Sequence, residues 1–195
     1  MVTAMLAVSA GLVVAAPALM PPGYSWREHG ISESAAQGVD GAWMARMAFL
    51  LFGLAVMWLA ERRAAAWQLA GTVLHFSFGL CMLGVAAFST KPWQEDMAYV
   101  RSEDLLHTIF ASTMGLAFIA GTASVLFARR PQTRRAAAMD LLTALSTLGL
   151  SIGMGAFPGV YGVLQRLMFA VAYAWYGREA LAAVNSGRTV GRRAA

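Results

Sequence analysis

The sequence predicts an all-α integral membrane protein, a bundle of six transmembrane helices with both termini on the cytoplasmic side. Three observations carry that expectation. Charged residues make up only 13% of the 195-residue chain, roughly half the share found in soluble domains. Apolar residues make up 58% and fall in blocks near the roughly 17–25 residues that span a bilayer. The basic residues divide unevenly between the connections, ten on one side and five on the other.

The blocks cover about 2–20, 41–60, 67–88, 106–128, 139–157 and 161–178, and most are apolar all round, as lipid-embedded helices are. None shows the polar–apolar alternation of a barrel strand. The first block, "MLAVSAGLVVAAPALM", has the length and Ala-rich end of a signal-peptide core. No Lys or Arg precedes it, so it is expected to stay as a first span that ends near Pro17, Pro21 and Pro22. The third block holds the only cysteine, Cys81, expected to be buried and inert. The fourth follows "SEDLLH", where Ser102 suits an N-cap and Glu103 and Asp104 suit the positive end of a helix dipole. Gly149 and Gly153, then Gly155 and Gly159, form small-xxx-small pairs that allow close helix approach within the bundle or at an oligomer contact. Trp43, Trp58, Trp67, Trp93 and Trp175 fall near block ends, where aromatic belts form. Residues 1–178 are expected to make one domain, followed by a basic cytoplasmic tail, 179–195, whose "NSGRTVGRRAA" is expected to be mobile.

Orientation follows from the arginines. Arg62 and Arg63, then Arg129, Arg130, Arg134 and Arg135, then Arg178, Arg188, Arg192 and Arg193 share one side with only Glu61, Asp140 and Glu179. That side is expected to be cytoplasmic. Arg27, Arg46, Lys91, Arg101 and Arg166 share the other side with seven acids. The net charge of +5 therefore sits in short loops beside anionic lipid, and no nucleic acid is expected as a partner.

The polar residues of the outer face are the candidate site. "YSWREHGISES", residues 24–34, holds an Arg, two Glu, a His and three Ser between two apolar blocks. A second loop, "STKPWQEDMAYVRSEDLLH", and a brief third, "FPGVYG", end on the same surface. Arg46 and Arg166 lie about one turn inside their spans, where a lone guanidinium is costly. Pairing with Glu33 is expected, or snorkelling to the surface. Glu103 or Asp104, one turn before His107, could orient its imidazole for proton transfer or ligand binding. The expected ligand-binding set is Glu33, Arg46, Asp104, His107 and Arg166, with His107 and Asp104 the catalytic candidates.

Other arrangements carry less. His75 lies within the third block and is expected to hydrogen-bond a neighbouring helix; haem ligation together with His107 is opposed by their different depths. His29, Glu28, Glu33 and His107 could ligate a metal, but no His-x-x-x-His or Cys-x-x-Cys spacing supports it. Phosphate-loop, dinucleotide and nucleophile-elbow motifs are absent. No cofactor and no metal are expected.

The segment "GISESAAQGVDGAW" resembles the Ile-Ser-Glu-Leu-Gly loop of an uncharacterised bacterial six-span membrane family, domain of unknown function 998. Ile31, Ser32 and Glu33 match, whereas Ser34 and Ala35 depart from its Leu-Gly. "AAFST" and "DLLHTIFA" are similar to its third-loop region, with His107 at the family's histidine and Ser89 where the family has proline. "GVLQRLMFAVAYAW" is similar to its last span at Gln165, Arg166 and Trp175. The resemblance implies a six-helix fold in a bacterial inner membrane and a shared outer polar cluster, but no reaction.

Three functions stay open. The outer pocket could bind an acidic or zwitterionic small molecule or lipid headgroup. The protein could be a membrane enzyme acting on such a substrate through His107. It could instead be an accessory subunit packed against a larger membrane complex or its own copies. Membrane lipid is a partner in every case.

Overall fold

A computed structural model describes residues 1–129 and 134–193, with side chains through residue 185. Every regular element among them is helical. They are α1 (Val2–Ala15), continued by a 3-10 turn (Ala16–Leu19), α2 (Trp43–Ala87), α3 (Arg101–Ala128), α4 (Arg134–Ala156) and α5 (Tyr161–Arg193). α1 with its turn, α2, α3 and α4 are long and apolar enough to cross a membrane. Pro17 lies in the tightened last turn of α1, and Pro21 and Pro22 keep the chain from resuming a helix.

α2 contains both the second and the third expected block. Its 45 residues would reach about 68 Å if straight, more than twice the roughly 30 Å of a bilayer core. The helix instead breaks at Gln68 (φ 58°, ψ 179°) and doubles back. Gly53 of the first arm meets Gly79 of the second so closely that a Cβ on Gly53 would stand 2.7 Å from the Gly79 carbonyl oxygen. Glycine at both positions lets the arms touch along their backbones. No glycine or proline marks the break. Trp67, fully buried, holds it by donating its indole N–H to Glu179 of α5 at 2.8 Å.

The doubled α2 gives the bundle two ends. At one end the segments 20–42, 88–100 and 157–160 converge. At the other, Arg63, Arg129 and Arg178 meet Asp140 and Glu179. Met1, Arg62 and Val184 surround a small cavity at this arginine-rich end. Between the ends lies an aromatic core. Phe52 stacks on Tyr173 with ring centroids 4.2 Å apart and meets Phe78 edge to face, and Phe78 and Phe118 pack tilted against each other and against Tyr176. Ser9 ties three helices together: its hydroxyl donates to the Ala48 carbonyl at 2.7 Å and lies 2.6 Å from the Tyr173 hydroxyl.

Several expectations change. α5 continues past residue 178 as helix to Arg193, and Glu179 is packed inside rather than trailing in a tail. Trp67 and Trp175 are not belt residues; both are buried, with their indole N–H groups on carboxylates. α3 begins at Arg101 with Val100 at the cap position and no side-chain cap, so Ser102 is not the N-cap. Space is open beside Gly149, Gly155 and Gly159, so these glycines do not serve close packing within the bundle. Arg130 and the segment 131–133 lie outside the described residues.

The backbone of Gln68 occupies a region that glycine adopts freely and other residues adopt at a cost of about 1–3 kcal/mol. Gln68→Gly is therefore expected to leave stability unchanged or raise it. Ala65→Gly, three residues earlier in ordinary helix, should lower it by about 1 kcal/mol. Thermal unfolding of the two variants in one detergent checks the contrast.

Candidate functional site: a cavity beneath a stapled loop

The loop after α1 is largely buried, with Ile31, Ser34, Ala35 and Ala36 all at most 1% exposed. Its peptide groups therefore need protein partners. Three side chains from the helices bond them, and a fourth, from the loop itself, reaches across to the peptide groups of the second loop. Gln165 of α5 accepts the Ile31 N–H at 2.5 Å and approaches the Ser32 N–H at 3.4 Å. Arg46 of α2 donates from Nε to the Ala35 carbonyl (3.1 Å) and from Nη2 to the Ala36 carbonyl (3.0 Å). Arg166 of α5 directs Nη1 at the carbonyls of Trp26 (2.7 Å) and His29 (2.8 Å), and Nη2 at the Tyr24 hydroxyl (2.7 Å). Gln37 binds the second loop on both sides, donating to the carbonyls of Ser89 and Val100 and accepting from the Val100 N–H at 2.7 Å.

Glycine permits two of these approaches. A Cβ on Gly30 would stand 2.5 Å from Gln165 Oε1, and one on Gly162 would run into the carbonyl oxygens of His29 and Trp26. Burial pushes the Tyr24 phenol above its ordinary pKa although the Arg166 guanidinium beside it opposes the shift. Tyr24 therefore stays a neutral hydroxyl, which also donates to the Gly30 carbonyl at 3.1 Å.

The expected pairing of Glu33 with Arg46 or Arg166 does not form. Both guanidiniums are engaged by loop carbonyls, and Glu33 turns back to accept the Gly30 N–H at 2.5 Å. The physical reason is proximity: a loop laid across the helix ends brings many carbonyl dipoles within reach, and they satisfy a guanidinium without desolvating a carboxylate. Asp104 does not orient His107 either. Its carboxylate accepts from the Thr90 hydroxyl (3.0 Å) and the Lys91 N–H (2.8 Å), which fixes the start of the second loop. His107 is oriented by the Phe88 carbonyl, 2.8 Å from Nδ1.

Beneath the loops lies a cavity of about 840 Å³. Of the expected set, Glu33 and His107 line it and Arg46, Asp104 and Arg166 do not. Its other charged walls are Glu28, Glu95 and Lys91, so carboxylates outnumber cations three to one. Its aromatic walls are His29, Trp93, Tyr99 and Tyr161. Tyr24, His29 and Trp93 pack ring against ring at 5.2–5.4 Å and join the first loop to the second. The two histidines hold opposite tautomers. His29 Nδ1 accepts the Ser25 N–H at 2.9 Å, which puts a neutral ring's proton on Nε2. His107 donates from Nδ1, which leaves Nε2 the lone-pair nitrogen.

The opposite end holds a buried ion network. Glu179 receives Arg63 at 2.8 Å, Arg129 at 2.6 Å and Arg178 at 2.9 Å. Asp140 receives Arg129 and Arg178, and the Trp175 indole N–H at 2.9 Å. His75, fully buried, lies 2.9 Å from the Tyr176 hydroxyl through Nδ1 and stacks on Trp175. Its bond to a neighbouring helix is the one expected of it. Gln37 was not singled out from the sequence, because a Gln in a polar loop gives no sign of burial; the glycines around it, Gly38 and Gly41, were the signal of a tight path. The ion network was read only as charge that sets topology.

Fold and cavity together define an all-helical protein, with helices long and apolar enough to cross a membrane and a polar cavity at one end. The chain belongs to the family described as Protein of unknown function (DUF998), whose model matches residues 1–182. No curated protein and no solved structure matches it.

Charge pairing distinguishes the two ends. Glu179→Gln is expected to lower stability by about 3–5 kcal/mol, since it leaves buried guanidiniums uncompensated. Gln165→Ala should cost about 1–3 kcal/mol by orphaning the Ile31 N–H. Glu33→Gln should change little, because the amide oxygen can still accept from Gly30. Denaturation of the three variants in matched detergent gives the ranking.

Proposed function

We propose that this is a six-span protein of the bacterial cytoplasmic membrane, with both termini inside, that binds a zwitterionic, ammonium-bearing molecule in its outer cavity. A lipid headgroup is the natural form of such a ligand at a membrane surface. The observation that carries the reading is the excess of carboxylates, Glu28, Glu33 and Glu95 against Lys91, among aromatic walls. Carboxylates attract an ammonium, and the faces of Trp93, Tyr99 and Tyr161 suit it through their π-systems. A purely acidic ligand is disfavoured, because Lys91 is the one cation among the described residues of the cavity wall. The doubling of α2 supports the six-span reading, and the gathering of arginines at the end where Met1 and Val184 lie supports the orientation.

A second reading is supported by His107. Its Nδ1–carbonyl bond leaves Nε2 as an acceptor with no hydrogen-bond partner among the described residues, the state a general base requires. An enzyme would lose turnover in His107→Gln while keeping ligand affinity; a binding protein would show no turnover to lose.

Glycerophosphocholine is expected to raise the melting temperature of the purified protein, while glycerol phosphate at the same concentration does not. The doubly substituted Glu28→Gln, Glu95→Gln protein, altered at two exposed side chains, should bind it about three- to ten-fold more weakly. Equal stabilisation by both probes would refute the ammonium reading. For orientation, in a Cys81→Ala background, an impermeant thiol reagent added outside cells should label Ala98→Cys and spare Ala65→Cys.

A further inference from the structure

Arg166 does not line the outer cavity; it tops a separate groove on the lipid-facing side of the same loop. The groove, about 450 Å³, runs between α1 and α5 from Pro17 and Trp26 down to Ala10 and Tyr173. Among the described residues of its walls, Arg166 is the only charged one. Along the helices it extends about 10 Å, from Arg166 to Tyr173 at 1.5 Å per residue. The one hydroxyl at its floor, that of Tyr173, is engaged by Ser9 at 2.6 Å. Its mouth is flanked by Trp26, 59% exposed, at the level where aromatic rings meet headgroups.

The guanidinium at the top has charge and donors to offer. Arg166 makes no ion pair among the described residues, and its hydrogen bonds run from Nη1 and Nη2 to neutral oxygens. Nε donates to nothing among them. The carbonyls satisfy its Nη donors as dipoles but leave the full charge unneutralised, and an anion that reaches it from the membrane side supplies the countercharge. The groove beneath it is apolar, so the anion that fits carries a hydrocarbon chain. Among the described residues, no acid lines the groove to receive an ammonium.

We infer that this groove is a specific site for an anionic phospholipid. The phosphodiester accepts from the Arg166 guanidinium and one acyl chain lies along Val13, Val14, Phe169 and Ala170. This site stands apart from the ligand proposed for the cavity: the carbonyls of Trp26 and His29 that Arg166 holds belong to the wall between the two. Occupancy would brace that wall from the membrane side.

Native mass spectrometry of the full chain released from mixed phosphatidylglycerol and phosphatidylcholine tests the inference. The wild type should retain one phosphatidylglycerol in preference to phosphatidylcholine. Arg166→Gln should reduce that retention by about ten-fold or more, as expected for loss of a charge-assisted contact. Ala170→Trp, an exposed position that fills the groove and leaves Arg166 in place, should do the same with an unchanged melting temperature. That second variant separates loss of the site from loss of the fold. No headgroup preference in the wild type, or full retention in Ala170→Trp, overturns the inference. Displacement of the retained lipid by millimolar inorganic phosphate would also overturn it, assigning the guanidinium to a free anion instead.

Discussion

The need to partner buried peptide groups governs the end of this protein opposite the arginine cluster. The loop from Tyr24 to Gln37 lies down among the helix ends, and its backbone cannot be left to water where Ile31, Ala35 and Ala36 are buried. Gln165, Arg46 and Arg166 bond its peptide groups, and Gln37 ties it to the peptide groups of the second loop. This use of the arginines decides the chemistry of the cavity beside them. With the guanidiniums turned into the loop, the wall that remains is acidic and aromatic, which is the basis for proposing an ammonium-bearing ligand.

The arginine-rich end meets the same requirement with full charges. There Asp140 and Glu179 are shut off from solvent, and Arg63, Arg129 and Arg178 surround them with two indole N–H groups. Removing one member of such a network leaves a buried charge, whereas removing one carbonyl–guanidinium bond leaves a dipole. The network also joins the break in α2 to α3, α4 and α5, so the doubling of α2 and the ionic contacts support each other. The unusual backbone of Gln68 is held in place by this arrangement, through Trp67.

Much of this was legible in the sequence. Block length and the arginine bias gave all-helical architecture and the gathering of the arginines at one end, because those signals depend on composition summed over many residues. The motif around Ile31, Ser32 and Glu33 pointed to the loop, and Gln165 and Arg166 to its partner on α5. The partners themselves were not legible. Charge complementarity suggested Glu33 for the arginines, yet backbone carbonyls, which every residue carries, leave no mark in a sequence. The same blindness assigned Trp67 and Trp175 to a belt: their position near block ends is right, but the buried carboxylates of α4 and α5 that hold them are distant in sequence. The break at Gln68 has no glycine or proline to announce it.

Amide hydrogen exchange across residues 30–37 tests the stapled loop most directly. Its amides are bonded to Gln165, to the short turn at 33–35 and, at Gln37, to the Thr90 carbonyl. The account predicts that, in lipid nanodiscs, these amides exchange as slowly as those at the ends of α2 and α5, and that Gln165→Ala speeds them selectively. Exchange at the rate of an unstructured chain in the wild type would mean the loop is solvated. The cavity would then have no fixed wall.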